Sequence, residues 1–293
     1  MTEKRRARSL AELGEKLGGM FDDDVRAKGL ATELRPTDIV VTPYGKSGTT
    51  WTQQIVHTLR TRGDMEFDDI SRVVPWLEVS AALGIDLNAE QKANPRAFKS
   101  HLAWDDMPRG GKYINVVREP AAAAISMFRF QEGWFLEPGA MTADEFVMGT
   151  FVASRAYFQH LKSWWARRND ADVLFLVYEE MLADPAAAIQ QIASFMGIDL
   201  DAELLALTLR HTSREFMLQH QDKFDDSMLR QLSEDVADLP RGSASAKVTS
   251  GSSTSLLSDN TLEAIALVWQ EEITTSLGFD TYQDLLAARS LEA

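Results

Sequence analysis

Between positions 43 and 51 the chain reads Pro43-Tyr44-Gly45-Lys46-Ser47-Gly48-Thr49-Thr50-Trp51, a stretch rich in hydrogen-bond donors and poor in bulk. Gly45 and Gly48 let the backbone approach a ligand closely, Lys46 brings a full positive charge, and Ser47, Thr49 and Thr50 bring hydroxyls. The β-branched run Ile39-Val40-Val41 precedes it, and Trp51, Ile55, Val56 and Leu59 follow at helical spacing, so the loop joins a strand to a helix start. Unpaired N–H groups and the helix dipole favour an anion at such a start. The chemistry is that of a phosphate or sulfate cradle; the plainer alternative is an ordinary Gly/Thr-rich turn. Gly45-Lys46-Ser47 does not make a Walker A loop, because that motif needs a glycine five positions before Gly45 and Val40 stands there.

Other chemistry-bearing residues lie downstream. In Lys99-Ser100-His101 a histidine follows a short strand, and an imidazole can take a proton from a nucleophilic oxygen near neutral pH. His57 and His160 sit inside helical patterns, whereas His211 and His220 have no strand end behind them. Arg118-Glu119-Pro120 closes a second strand, and Ser126 lies two turns into the helix that Pro120 opens. A guanidinium and a hydroxyl so placed can converge on one dianion, although a salt bridge is an equal use for Arg118. Trp51 and Tyr178 offer flat faces for a base, or pack as core aromatics. The acidic runs Asp22-Asp23-Asp24 and Asp225-Asp226 fall outside these motifs, and no carboxylate cluster suggests Mg²⁺ ligation. With no cysteine, disulfides, thiolate catalysis and Cys-ligated metals are excluded.

The elements that must position these groups alternate strand and helix. Strands are expected at 38–41, 96–102, 112–117 and 172–177. Helices are expected over 51–60, 121–130, 142–167 and 185–196, the last closed by Gly197, with an amphipathic helix over 260–277. That alternation predicts an α/β single domain with a central parallel sheet flanked by helices, whose ligands gather at the carboxyl ends of the strands. Lys46, His101, Arg118 and Tyr178 all fall at such ends. Residues 1–35 form an N-terminal helical extension, with Leu10, Leu13, Leu17 and Phe21 on one face packing outside the core, and 36–293 form the main domain. Gly242 to Ser255 reads as a disordered loop or as a cover that orders on ligand binding. At 293 residues and 45% hydrophobic the chain can bury a large core, and no apolar run reaches membrane-span length. A formal charge of −14 argues against nucleic-acid partners but leaves room for an anionic small molecule.

Taken together, the motifs resemble the cytosolic sulfotransferase family. Pro-x-x-Lys-Ser-Gly-Thr-Thr-Trp is similar to that family's 5′-phosphosulfate loop, Lys99-Ser100-His101-Leu102 to its Lys-(Thr/Ser)-His-Leu, and Arg118 with Ser126 to its 3′-phosphate segment. The resemblance implies a P-loop nucleoside-triphosphate-hydrolase-like fold; a cytoplasmic place is the expectation from the lack of a signal-peptide or membrane-span pattern and from where activated sulfate would be made. The resemblance also implies metal-free transfer of a sulfuryl group from 3′-phosphoadenosine 5′-phosphosulfate (PAPS) to a small, hydrophobic acceptor, releasing 3′-phosphoadenosine 5′-phosphate (PAP). It makes His101 the general base, with Lys46 and Lys99 acting on the sulfuryl end. Ser47, Gly48, Thr49 and Thr50 complete the cradle, and Trp51, Tyr178 and Thr212 lie at the adenine. Pro240-Arg241-Gly242 is like the family's Arg-Lys-Gly, so Arg241 and Gly242 join the 3′-phosphate, although Pro240 replaces a basic residue and the usual Gly-Asp-Trp-Lys is missing. Pro75, Trp76, Phe128, Trp134 and Phe135 are expected to line the acceptor pocket. Two other readings use the same residues: a nucleotide-dependent kinase, and a nucleotide-binding protein without turnover.

Overall fold

Ile39–Val41 (β1) is three residues long and fully buried, with Ile39 and Val41 facing one layer and Val40 the other. In the computed structural model, which describes residues 4–20, 23–247 and 256–292, β1 pairs in parallel with Ala97–Lys99 (β2) and with Lys112–Val117 (β3), and β3 pairs with Val173–Val177 (β4). The order is β2-β1-β3-β4, with Val41 opposite both Lys99 and Ile114, and Val117 opposite Val177. The chain leaves β1 toward β2, then crosses back to lay β3 on the other side of β1. The loops after β1 and β3 therefore diverge, opening a crevice at the carboxyl ends of the two central strands.

The helices in chain order are α1 (Leu10–Met20), α2 (Asp23–Leu30), α3 (Thr49–Thr61), α4 (Ile70–Val73), α5 (Pro120–Trp134), α6 (Ala143–Val147), α7 (Ala156–Trp165), α8 (Tyr178–Ala183), α9 (Pro185–Met196), α10 (Ala202–His211), α11 (Arg214–Gln219), α12 (Ser227–Asp235), α13 (Asp259–Trp269), α14 (Thr275–Leu277) and α15 (Tyr282–Glu292). Ile55, Val56 and Leu59 of α3 and Ile189 and Ile192 of α9 cover one face of the sheet with Ile39, Val41 and Ile114. Ile125 and Phe128 of α5 and Tyr157, Phe158 and Leu161 of α7 cover the other, against Val40, Phe98 and Tyr113. Helix starts follow local chemistry. Glu119 accepts from Ala121 N–H and Ala122 N–H ahead of Pro120, and Asp184 caps α9 at Ala187 N–H, with Gly197 left-handed at its end. Below the sheet's amino edge, Arg96 Nε and Nη2 donate to both oxygens of Asp38 at 3.0 and 2.5 Å, tying the starts of β1 and β2 together.

Three expectations change. The N-terminal helix is two helices, and it does not lie outside the core: Leu13 and Met20 are buried, and fully buried Ala7 exchanges backbone hydrogen bonds of 2.8 Å with Phe135 and Glu137. That bridge draws the segment inward more strongly than an amphipathic stripe can reveal. The helix expected over 142–167 is broken at Arg155, held left-handed (φ 56°) with its guanidinium paired to Glu271 and Glu272. β2 covers only Ala97–Lys99 of the 96–102 stretch: beyond it His101 N–H donates to Glu78 Oε1 at 2.8 Å and Leu102 N–H to Ser100 Oγ at 3.1 Å, side-chain partners in place of a neighbouring strand. Phe21, Asp22 and the part of the expected cover from 248 to 255 lie outside the described residues. Among the described residues no helix is long and apolar enough to cross a membrane.

Candidate active site

The crevice between β1 and β3 opens into a cavity of about 550 Å³ lined by the loop after β1 and by Lys99, His101, Arg118, Ser126, Tyr178 and Thr212. The loop folds tightly. Lys46 is itself left-handed (φ 68°), and Gly48, at the N-terminus of α3, has φ 93°. A side chain at position 48 would bring a Cβ within 2.8 Å of the Tyr178 ring, so only glycine lets the loop lie against the end of β4. Arg118 Nη1 donates to the Lys46 carbonyl oxygen at 2.8 Å, and its guanidinium stacks 4.5 Å over Tyr178. Thus the residue closing β3 holds the loop that follows β1.

Gly48, Thr49, Thr50 and Trp51 all line the cavity, while Ser47 is buried beneath the loop. The hydroxyls of Ser47 and Thr49 are buried with no hydrogen-bond partner among the described residues, and α3 has no side-chain cap at Gly48. Unpartnered hydroxyls beside an uncapped helix start are groups able to donate to an anion. Trp51 stands edge-on to Tyr178 with centroids 5.9 Å apart, and Thr212 Oγ1 donates back to the Thr208 carbonyl at 2.7 Å.

His101 is fixed from two sides. Its backbone N–H donates to Glu78 Oε1 at 2.8 Å, and ring Nδ1 lies 2.8 Å from the Pro43 carbonyl oxygen. A carbonyl can only accept, so Nδ1 carries the hydrogen and Nε2 keeps its lone pair. Burial, reinforced by the charge of Lys99, pushes the imidazole down to about 3. Burial and the charge of Lys247 lower Lys46 to about 7 and Lys99 to about 8. The ammonium of Lys99 sits 4.1 Å over Trp76, and that of Lys46 4.6 Å over Phe130.

Several expected pocket residues are elsewhere. Trp76 and Phe135 line the cavity, but Phe128 and Trp134 are core: Phe128 packs on Phe146 at 5.6 Å, and Trp134 is covered by α12, donating from Nε1 to Ser233 Oγ at 3.3 Å. Pro75 is occupied as an edge partner of β2, accepting from Lys99 N–H at 2.8 Å. Arg241 is exposed in a turn, and Gly242 donates its N–H to Glu234 Oε1 at 2.7 Å; neither lines the cavity. The cation the segment does bring in is Lys247, paired with Asp226. Burial alone would raise the Asp226 carboxyl, but Lys247 and Lys99 outweigh it and hold it below the usual carboxylate range. The sole sequence signal for Lys247 was that it is the one charged residue between Gly242 and Ser255.

Residues 36–254 match the family described as Sulfotransferase domain. Sulfotransferase 1B1 of Canis lupus familiaris is 35% identical over 198 residues, covering 62% of this chain and 67% of that protein. Amine sulfotransferase of Oryctolagus cuniculus is 32% identical, over 63% of this chain and 64% of that protein. Among solved structures, retinol dehydratase in complex with androsterone and inactive cofactor PAP superposes with a TM-score of 0.69 at 20% identity, covering 92% of this chain and 95% of that one. A mouse sulfotransferase complexed with PAP gives a TM-score of 0.65 at 22% identity, over 88% and 92% of the two chains. The likeness to both structures shows a shared fold.

Proposed function

The chain belongs to the sulfotransferase family, and we propose that it transfers a sulfuryl group from PAPS to a hydroxyl or amine of a small, largely apolar acceptor, with His101 as general base. One observation carries this reading: the bond from Arg118 to the Lys46 carbonyl brings the anion-cradling loop and a second cation to one cavity at the β1/β3 crevice. The residues present suit an anionic nucleotide. Lys46, Lys99 and Arg118 supply charge, Ser47 and Thr49 supply unpartnered hydroxyls, and Gly48 keeps the wall low. The reading gives the enzyme a cytoplasmic place, where activated sulfate is made.

The donor supplies sulfur joined to a phosphate through a bridging oxygen. Lys46, the hydroxyls of Thr49 and Thr50 and the free N–H groups of α3 would hold that end; Arg118 and Ser126 would hold the 3′-phosphate; Trp51, Tyr178 and Thr212 would face the adenine. His101 Nε2 takes the acceptor's proton as the new bond to sulfur forms and the bridging sulfur–oxygen bond breaks. The electron pair leaves with the phosphate, where Lys46 and Lys99 offset the growing charge. The Nδ1 bond to Pro43 keeps the ring in the tautomer this requires. A histidine lowered to about 3, chiefly by burial, is a weak base; a bound polyanion would offset the smaller part of that shift, which comes from Lys99 and Lys247.

Incubation with PAPS and a panel of phenols, alcohols and amines tests the reading directly. His101→Ala should lower kcat by ~10²–10⁴-fold while PAP still raises the melting temperature. A variant that keeps the full rate removes the base assignment, and stabilisation by ATP–Mg²⁺ but not by PAP would point to a kinase instead.

A further inference from the structure

Arg241 stays outside the cavity, yet the segment that follows it enters. Ser245 lies so close to α5 that a Cβ at Gly133 would come within 2.5 Å of its hydroxyl, and two residues later Lys247 turns into the cavity. Its side chain is 10% exposed and is ion-paired to Asp226, which is 3% exposed. Asp226 has a left-handed backbone (φ 52°), and its other oxygen accepts from Ser71 Oγ at 3.0 Å, so the carboxylate is fixed independently of Lys247.

We propose that Lys247 is a third lysine of the donor's sulfuryl end, delivered by the 243–247 segment and aimed by Asp226 as a positioning residue. The inference rests on the proposed PAPS chemistry. Its geometric ground is a shared ring: the ammonium of Lys247 lies 6.0 Å from the centroid of Phe130, the same ring that Lys46 stands over at 4.6 Å. Lys247 acts electrostatically on Lys46, Lys99 and His101, and Asp226 acts on both lysines in the opposite sense. A lysine recruited only to tether a loop would be badly placed here. Its ammonium is largely buried near Lys46 and Lys99, with Asp226 as the carboxylate it pairs with, while Asp69 and Glu78 act on the neighbouring Lys99. That arrangement becomes favourable when an anion joins it. Lys247 gives up no proton. As the bridging sulfur–oxygen bond breaks, it shares its charge between Asp226 and the departing phosphate.

The test compares Lys247→Met, Lys247→Arg, Asp226→Asn and the Lys247→Met/Asp226→Asn double variant in the full chain, with PAPS and one good acceptor. Lys247→Met should lower kcat/KM for PAPS by ~10–100-fold while changing the melting temperature little. Removing its charge relieves His101, Lys46 and Lys99 together, so both limbs of the pH–rate profile should move to higher pH, a shift that a tether would not produce. Lys247→Arg keeps the charge and should stay within ~10-fold of wild type, guarding against a folding defect. The double variant should be no worse than Lys247→Met alone, because Asp226 acts through Lys247. Undiminished or increased kcat/KM in Lys247→Met, or a lowered melting temperature with an unmoved pH profile, overturns the proposal. If wild type forms no sulfated product and does not bind PAP, it is the underlying PAPS reading that fails.

Discussion

At the scale of single residues, the site is a set of cations kept partly discharged by burial and, to a lesser extent, by one another. Burial lowers Lys46 from its ordinary 10.5 to about 7 and Lys99 to about 8, so near pH 8 both exchange protons readily in the folded protein. Between those values and 10.5 the unfolded chain binds more protons than the folded one, so both groups make stability rise with pH across that window. A polyanion reverses the shift by favouring the charged ammonium. PAP binding near pH 8 should therefore take up protons, measurable as a binding enthalpy that changes with the buffer's ionisation enthalpy. Equal enthalpies in phosphate and Tris would mean that the lysines do not meet the ligand. Lys46, Lys99, His101 and Arg118 were legible because each is marked by its own strand and loop, a signal carried within a few residues. Lys247 and Asp226 were not. Their pairing spans 21 residues and means something only beside Lys46, which lies two hundred residues away.

At the scale of elements, the chemistry depends on how closely two of them approach. The turn from β1 into α3 rests on Tyr178, the first residue of α8, and Gly48 is the contact. Gly48→Ala combines a left-handed backbone that alanine adopts at a cost of ~1–2 kcal/mol with a 2.8 Å clash against the Tyr178 ring. The strain falls on the cradle and not on the buried sheet. The variant should keep its far-ultraviolet circular dichroism, melt a few degrees lower, and lose PAP affinity by at least ~10-fold, read by calorimetry. Wild-type affinity would show that the loop tolerates displacement. The sequence reading located β3, β4 and α9 closely, because unbroken apolar runs and caps are local facts. It misplaced Phe128 and Trp134, since which side of α5 meets the cavity is decided by α6 and α12, elements that pack there from later in the chain.

For the molecule as a whole, the question is what closes the cavity on the acceptor's side. The strand ends supply Lys46, Lys99 and Arg118, and the rest of the wall draws on helices far apart in the chain. Leu17 of α1 and Leu229 of α12 line it with Phe130 and Phe135. Lys16 Nζ donates to the carbonyls of Ala237 and Asp238 at 2.9 and 3.2 Å, stitching α1 to the chain that follows α12. A segment expected to pack outside the core is therefore part of the pocket, which periodicity could not reveal: Leu10, Leu13 and Leu17 share a stripe, yet Leu13 is buried while Leu17 faces the cavity. Under the proposed function, these apolar lining residues would meet the acceptor and the strand-end cations the donor. Leu17→Ala removes apolar surface and no charge, so KM for an apolar acceptor should rise ~3–10-fold with KM for PAPS unchanged. Because Leu17 is only partly buried, the melting temperature should hardly move. Equal changes in both KM values would mean that α1 supports the donor site as well, and no change in either would leave the acceptor to the Trp76 side of the cavity.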